Sequence, residues 1–321
     1  MNAKSVTVKL GLILSTLVVL AYAHCAEARV TCTPSAPTFS AAYPSINGTL
    51  TIVAGSFTVT CSKSRGGTAT ATYQVAASLG NNAVGSLRYA TFGANTLNYD
   101  LTSDAGCAST WNDTTAFLPV PPTLTPYTTP SLTRGASDVH TFLFWGCVPA
   151  NQAAPVAGNY TDSVTLSLVN ASTTDPQGIR LRTRNMSVTI VVSSNCGITS
   201  LPSPMTFNYT SGQGTAATAA SSYTVTCTNA LPYTMSLDTG GTGYTGTWSS
   251  PTGSYANTAS TLTYTLTLHD VANNIDTGTG TGTGAAQNFT INGSMPAGQG
   301  GTCATLGGCT FSDMHTLTVT Y

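Results

Sequence analysis

Ser56-Phe57-Thr58-Val59-Thr60-Cys61 returns as Ser222-Tyr223-Thr224-Val225-Thr226-Cys227, and the cysteines 29 and 31 residues upstream, Cys32 and Cys196, are the matching partners. Leu97-Asn98-Tyr99-Asp100-Leu101 answers to Leu262-Thr263-Tyr264-Thr265-Leu266, and Val148-Pro149-Ala150-Asn151-Gln152 to Met295-Pro296-Ala297-Gly298-Gln299. Tyr160-Thr161-Asp162 before Thr165-Leu166-Ser167-Leu168 matches Phe311-Ser312-Asp313 before Thr316-Leu317-Thr318-Val319. Four matched blocks in one order mean two copies of one domain, and two copies are too few for a solenoid.

Each copy alternates apolar or aromatic residues with Thr and Ser over short runs, the period of a half-buried strand. Composition argues the same way. Beyond residue 28 the chain has ten Asp, one Lys (Lys63), seven Arg and no Glu, against 60 Thr in all 321 residues, so it lacks the residues helices favour. The expected fold is all-β, two tandem immunoglobulin-like sandwiches. Six strands are expected in the second copy, near 205–209, 222–228, 232–237, 261–268, 287–291 and 314–321. The first copy has six equivalents plus a seventh, Met186 to Val192, whose residues alternate as an inserted strand would. The second sandwich is therefore one strand short, leaving apolar side chains and backbone groups uncovered. A strand burying four or five large apolar residues contributes on the order of 10 kcal/mol, comparable with the roughly 5 to 15 kcal/mol of a whole domain. A disulfide closing such a loop, Cys196 with Cys227, contributes about 3 to 4 kcal/mol and cannot replace it. The second domain is expected to be completed by a strand from another polypeptide.

Lys4 and Lys9 precede an apolar run from Leu10 to Ala23, then Ala26-Glu27-Ala28, the pattern of a cleaved signal peptide over 1–28, which removes Cys25. The N-terminal domain is placed at 29–193 and the C-terminal one at 194–321. Eight cysteines remain, Cys32, Cys61, Cys107, Cys147, Cys196, Cys227, Cys303 and Cys309; they divide four and four, show no C-x-x-C spacing, and read as disulfides of an oxidising compartment.

The residues Cys196, Phe207 and Tyr209, the Thr-Val-Thr-Cys strand, Leu262 to Leu266, the Pro296-Ala297-Gly298-Gln299 turn and the stretch from Phe311 to Tyr321 resemble the spore coat protein U domain. That domain builds the subunits of archaic chaperone-usher pili. The resemblance implies a periplasmic chaperone that lends a strand beside His315 to Tyr321, with Leu317, Val319 and Tyr321 on the contacting face. It also implies an outer-membrane usher, and an adjacent pilin subunit whose N-terminal extension then replaces the chaperone's strand. Two-domain members are similar to the tip adhesin. The implied role is attachment and biofilm formation by a cell-surface pilus reached through the periplasm, at a hydrophobic or host surface. A spore-coat or surface structural protein and a carbohydrate-binding module are the alternatives. His315 departs from the aliphatic residue usual at its position.

Candidate contact residues are Phe117, Leu118, Val120, Leu124 and Tyr127, in a Pro-rich apolar stretch that only the first copy has and that reads either as an exposed adhesive loop or as a loop buried under the sandwich, with Leu87, Tyr89 and Phe92 as a second loop. Arg180, Arg182 and Arg184 read as charge that keeps an edge strand soluble. Lys plus Arg number 10 and Asp plus Glu 11, too few and too balanced for nucleic-acid binding. No cofactor, no metal and no enzyme activity is expected. His140 and His315 each follow an Asp by two residues, which places each pair on one strand face, but there is no G-x-S-x-G elbow. Asp270, Asn273, Asn274 and Asp276 depart from calcium-loop spacing and read as a polar turn, and the Thr-Gly tract at 277–284 as a flexible loop.

Overall fold

The computed structural model describes residues 30–111, 126–171, 179–238, 245–247, 250–257, 260–300 and 314–321, and among these there is no helix. The first copy supplies β1 (Val30–Pro34), β2 (Thr38–Tyr43), β3 (Thr51–Lys63), β4 (Thr72–Ala77), β5 (Arg88–Phe92) and β6 (Asn95–Thr102). It continues with β7 (Tyr127–Thr128), β8 (Ser137–Val148), β9 (Gly158–Asn170), β10 (Ile179–Leu181) and β11 (Thr183–Val192). One sheet runs β10-β1-β3-β8-β6; the facing layer is built on β9, with β4 and β5 on one side and β11, then β2, on the other.

The second copy supplies β12 (Cys196–Ser200), β13 (Ala217–Cys227), β14 (Pro232–Leu237), β15 (Thr245–Thr247) and β16 (Ser250–Asn257). It ends with β17 (Ser260–Asp270), β18 (Ile275–Asp276), β19 (Thr279–Thr281), β20 (Ala286–Met295) and β21 (Leu317–Thr320). Its larger sheet, β12-β13-β20-β17-β16-β15, repeats the β1-β3-β8-β6 order, and its smaller one is β19-β14-β21.

Alternation sets the cores. In β3, Phe57, Val59 and Cys61 point inward between Thr58, Thr60 and Ser62, and in β13 Tyr223, Val225 and Cys227 also point inward, with Thr226 buried beside them. Each copy closes its own apolar cluster, one around Phe57, Trp111 and Phe144, the other around Tyr223, Leu268 and Phe289. Cys32 is bonded to Cys61 and Cys196 to Cys227, each pair directly opposed across its strands, and Cys107 is bonded to Cys147. Cys303 and Cys309 lie outside the described residues. The copies meet where Thr228 Oγ1 donates to Ser45 Oγ at 2.8 Å and Asn229 Nδ2 donates to the Ala154 carbonyl at 3.0 Å. Ser45 precedes β3 and Ala154 follows β8, so Lys63 and Ser137 mark the opposite pole, roughly 40 Å away along a thirteen-residue strand.

Three expectations are corrected. Residues 205–209 form no strand, although Met205, Phe207 and Tyr209 keep the alternating pattern and pack on the second core; alternation makes a face, but a ladder also needs a neighbour. The Thr-Gly tract is not wholly a loop. Thr279–Thr281 pairs with β14, and Gly280 lies under the Tyr233 ring, where a Cβ would come within 2.4 Å. Tyr89 and Phe92 belong to β5 rather than a loop, because Ala90 between them turns inward while the strand pairs with β6.

Candidate functional site: the open last strand

The two copies show one site in two conditions. In the first, β11 lies between β9 and β2, antiparallel to one and parallel to the other. Met186, Val188, Ile190 and Val192 of β11 are all buried, opposite Val164, Asp162, Tyr160 and Gly158. Beside it Phe39, Ala41 and Tyr43 of β2 and Val164 and Leu166 of β9 are buried as well.

In the second copy the last strand keeps its inner register. Val75 pairs with Leu168 and Ala77 with Leu166 in the first copy; Met235 pairs with Val319 and Leu237 with Leu317 in the second. Phe207 lies over Gly293 as Phe39 lies over Gly146, close enough that a Cβ on either glycine would come within 2.4 Å of the ring. The Gln299 amide clamps Thr263, Oε1 accepting from its N–H at 2.6 Å and Nε2 donating to its carbonyl at 2.9 Å. Gln152 clamps Asn98 identically, at 2.6 and 2.9 Å. Among the described residues, however, nothing pairs with the outer side of β21. Leu317 and Val319 are half-buried where Leu166 and Leu168 are covered, and Tyr321 is 58% exposed. Of these three, only Leu317 falls opposite the stretch that β11 covers in the first copy, since that ladder ends at Thr183 and Ser167.

His315 occupies the position of Val164. Its Nε2 lies 2.8 Å from the Tyr264 hydroxyl, and its Nδ1 3.2 Å from the Asp238 carbonyl and 3.3 Å from Asp238 Oδ1. Burial, then the Asp238 charge, pushes the Tyr264 phenol up to about 12. In the first copy the equivalent Tyr99 donates instead to Asp162 Oδ2 at 2.7 Å, and Asp162 also accepts from the backbone of Asn81 and Asn82.

Of the candidate contact residues, Phe117, Leu118, Val120 and Leu124 lie outside the described residues. Tyr127 is half-buried at the pole remote from the second sandwich, stacked on His140 at 3.7 Å. Leu87 and Phe92 are exposed, with Phe92 against Tyr160 at 5.8 Å on the junction side, away from Tyr127. Arg88 between them is buried, donating to Asp100 at 2.6 Å and to the Ser78 carbonyl, an arrangement that nothing in the local pattern announces. Asp270 accepts from the backbone of Ala272 and Asn273, and Asp276 pairs with His269 at 2.7 Å, so these residues form a polar turn.

Tandem immunoglobulin-like sandwiches, the first closed by a strand of its own and the second one strand short, define the class of this molecule. The chain belongs to the Spore Coat Protein U domain family, whose model matches residues 15–167 and 182–314. No curated relative matches it. Among solved structures it is similar to the CsuC-CsuE chaperone-tip adhesion subunit pre-assembly complex of Acinetobacter baumannii, at 16% identity and TM-score 0.43, covering 90% of this chain and 100% of that one. It is similar also to the CupB6 tip adhesin of Pseudomonas aeruginosa, at 9% identity and TM-score 0.37, covering 91% and 95%.

Proposed function

We propose that this chain is an adhesive subunit of a surface pilus assembled by the chaperone-usher pathway, placed at the fibre tip and serving attachment and biofilm formation. Residues 1–28 are a leader, 29–193 the binding domain and 194–321 the pilin domain. A periplasmic chaperone covers β21 first, and at the outer-membrane usher the adjacent subunit's strand takes its place. The role is structural and adhesive, without catalysis. The observation that supports this is the unequal closure of the two copies, since among the described residues the strand that buries Val164 and Leu166 in the first has no counterpart over Leu317 in the second. Membership of the family supports it too.

The test is expression of residues 29–321 in the periplasm with and without a candidate chaperone. A soluble one-to-one complex, and aggregation without the chaperone, is the expected result. A chain that is soluble, monomeric and indifferent to every chaperone and added strand would sink the assignment. The apolar contact surface, Phe117, Leu118, Val120, Leu124 and Tyr127, is tested apart from assembly. Fibres carrying Leu118→Ser with Leu124→Ser should lose binding to hydrophobic beads, and undiminished binding would remove these residues from the contact.

A further inference from the structure

Beyond residue 28 all eight Lys and Arg residues lie in the first copy; residues 194–321 contain none, and carry Asp238, Asp270, Asp276 and Asp313 instead. The fold gathers the exposed cations further. Arg65 follows β3 and Arg134 precedes β8, and the two strand ends lie side by side because the Gly135 N–H donates to the Lys63 carbonyl at 2.8 Å. Both arginines therefore stand, exposed, at the pole remote from the second sandwich. Arg180 of β10 falls on the row of Thr31, Ser62 and Ser137, which crosses four strands at the same end. Arg182 and Arg184 follow it towards β11 and are exposed too. Among the described residues, Arg65, Arg134, Arg182 and Arg184 have no ion-pair partner. Lys63 is 1% exposed and Arg88 is buried against Asp100, so neither reaches this surface. Of the described carboxylates only Asp138 stands at this end, and it faces inward opposite Cys61.

Free arginines at one end and acid at the other make this pole attract anions, and the guanidinium fork pairs with carboxylates two bonds at a time. Arg65 and Arg182 lie on opposite sides of β1, about two strand spacings across and five residues along, hence roughly 20 Å apart. One small anion cannot span that, so the partner is a polymer. Between the arginines the row of Thr31, Ser62 and Ser137 is followed by that of Thr33, Thr60 and Val139, leaving Val139 as the apolar exception among hydroxyls. A lipid surface rewards an apolar face beside the charge, and a nucleic acid presents far denser charge than these arginines match. Hydroxyl rows suit a chain whose anionic groups alternate with neutral hydroxyls. We propose that this pole binds an acidic polysaccharide, its carboxylates held by Arg65, Arg134, Arg182 and Arg184 and its hydroxyls by the Ser and Thr rows. The proposal rests on neither the open strand nor a pilus, and it survives if either fails.

The test is surface plasmon resonance with polygalacturonate as the probe. The mature chain is tethered sparsely through its C-terminus, so that open strands cannot aggregate. Polygalacturonate should bind at low salt and about tenfold or more weakly at about 0.5 M salt. Arg65→Ser with Arg134→Ser, and separately Arg182→Ser with Arg184→Ser, should each weaken binding about five- to thirtyfold. Melting should not change, since these side chains are exposed. If a pair does lower the melting temperature, the same positions changed to Gln remove the charge, keep most of the stem and must weaken binding alone. No binding of polygalacturonate, equal binding of neutral dextran, affinity unchanged in either pair, or tighter binding to phosphatidylserine vesicles or duplex DNA would each overturn the proposal.

Discussion

The strand that the second copy lacks can be supplied, because the first copy contains a working example. A synthetic peptide with the sequence of residues 179–193 carries Met186, Val188, Ile190 and Val192 in the spacing that β9 accepts. Each of these buried side chains is worth roughly 1.5 to 3 kcal/mol. The four together reach about 6 to 12 kcal/mol, an upper bound because an unfolded chain already hides some of this surface. The gain seen in solution is smaller, since a free peptide must be ordered first. At a hundredfold excess over its dissociation constant the peptide stabilises its target by about 2.7 kcal/mol. That corresponds to a rise of roughly 5 to 20 °C in the melting of a domain this size. Calorimetry of the mature chain should show two transitions, and only the lower should move when peptide is added. A peptide carrying Val188→Asp and Ile190→Asp should leave both unmoved. If the second sandwich melts within a few degrees of the first and no peptide shifts it, the inference from missing strand to strand acceptor is wrong.

Gly146→Ala should destabilise the first sandwich by about 1 to 3 kcal/mol, because a Cβ there comes within 2.1 Å of the buried Phe39 ring. Gly293→Ala should cost less, since Phe207 is only half-buried and its ring can swing aside; denaturant midpoints compare the two. Gln152→Ala strips two clamping bonds from Asn98 and should cost about 1 to 3 kcal/mol in the same assay. The Tyr233 and Tyr264 phenols, pushed up to about 12 by burial, stay neutral in the fold while unfolded phenols ionise near 10. The stability of the second sandwich should therefore be complete below pH 10 and be lost as pH rises from 10 through 12, read by melting and the phenolate absorption band. His315→Val should enlarge the peptide-induced shift and lower the solubility of the uncovered chain; a smaller shift would show that the imidazole helps rather than hinders the incoming strand.

The duplication was legible because it is written in contiguous blocks, and so was β11, whose four apolar residues alternate in one short run. What escaped was nonlocal. Met205, Phe207 and Tyr209 read as a strand by the same rule, yet they form none, because among the described residues no strand lies beside them to make the ladder. The Pro-Ala-x-Gln turn was visible as a repeat, but the amide that grips Asn98 or Thr263 appears only after the chain returns. Asp138 and His140 could be placed on one face, whereas Lys63 joins them only when β3 pairs with β8, and Tyr73 only when the two sheets close.

The difference between Val164 and His315 follows from the same contrast. A valine at the open edge would meet water whenever the covering strand is absent, at the full cost of exposed apolar surface. His315 has both ring nitrogens engaged, one by Tyr264 and one by Asp238, so its hydrogen bonds are held whether or not a strand lies above. A polar side chain that is satisfied from below can wait in solvent and still be covered later without stranding a donor. The site that closes during folding can use an aliphatic residue there. On the proposed assembly, a site that stays open until a strand arrives gains from a residue such as His315, held by Tyr264 and Asp238.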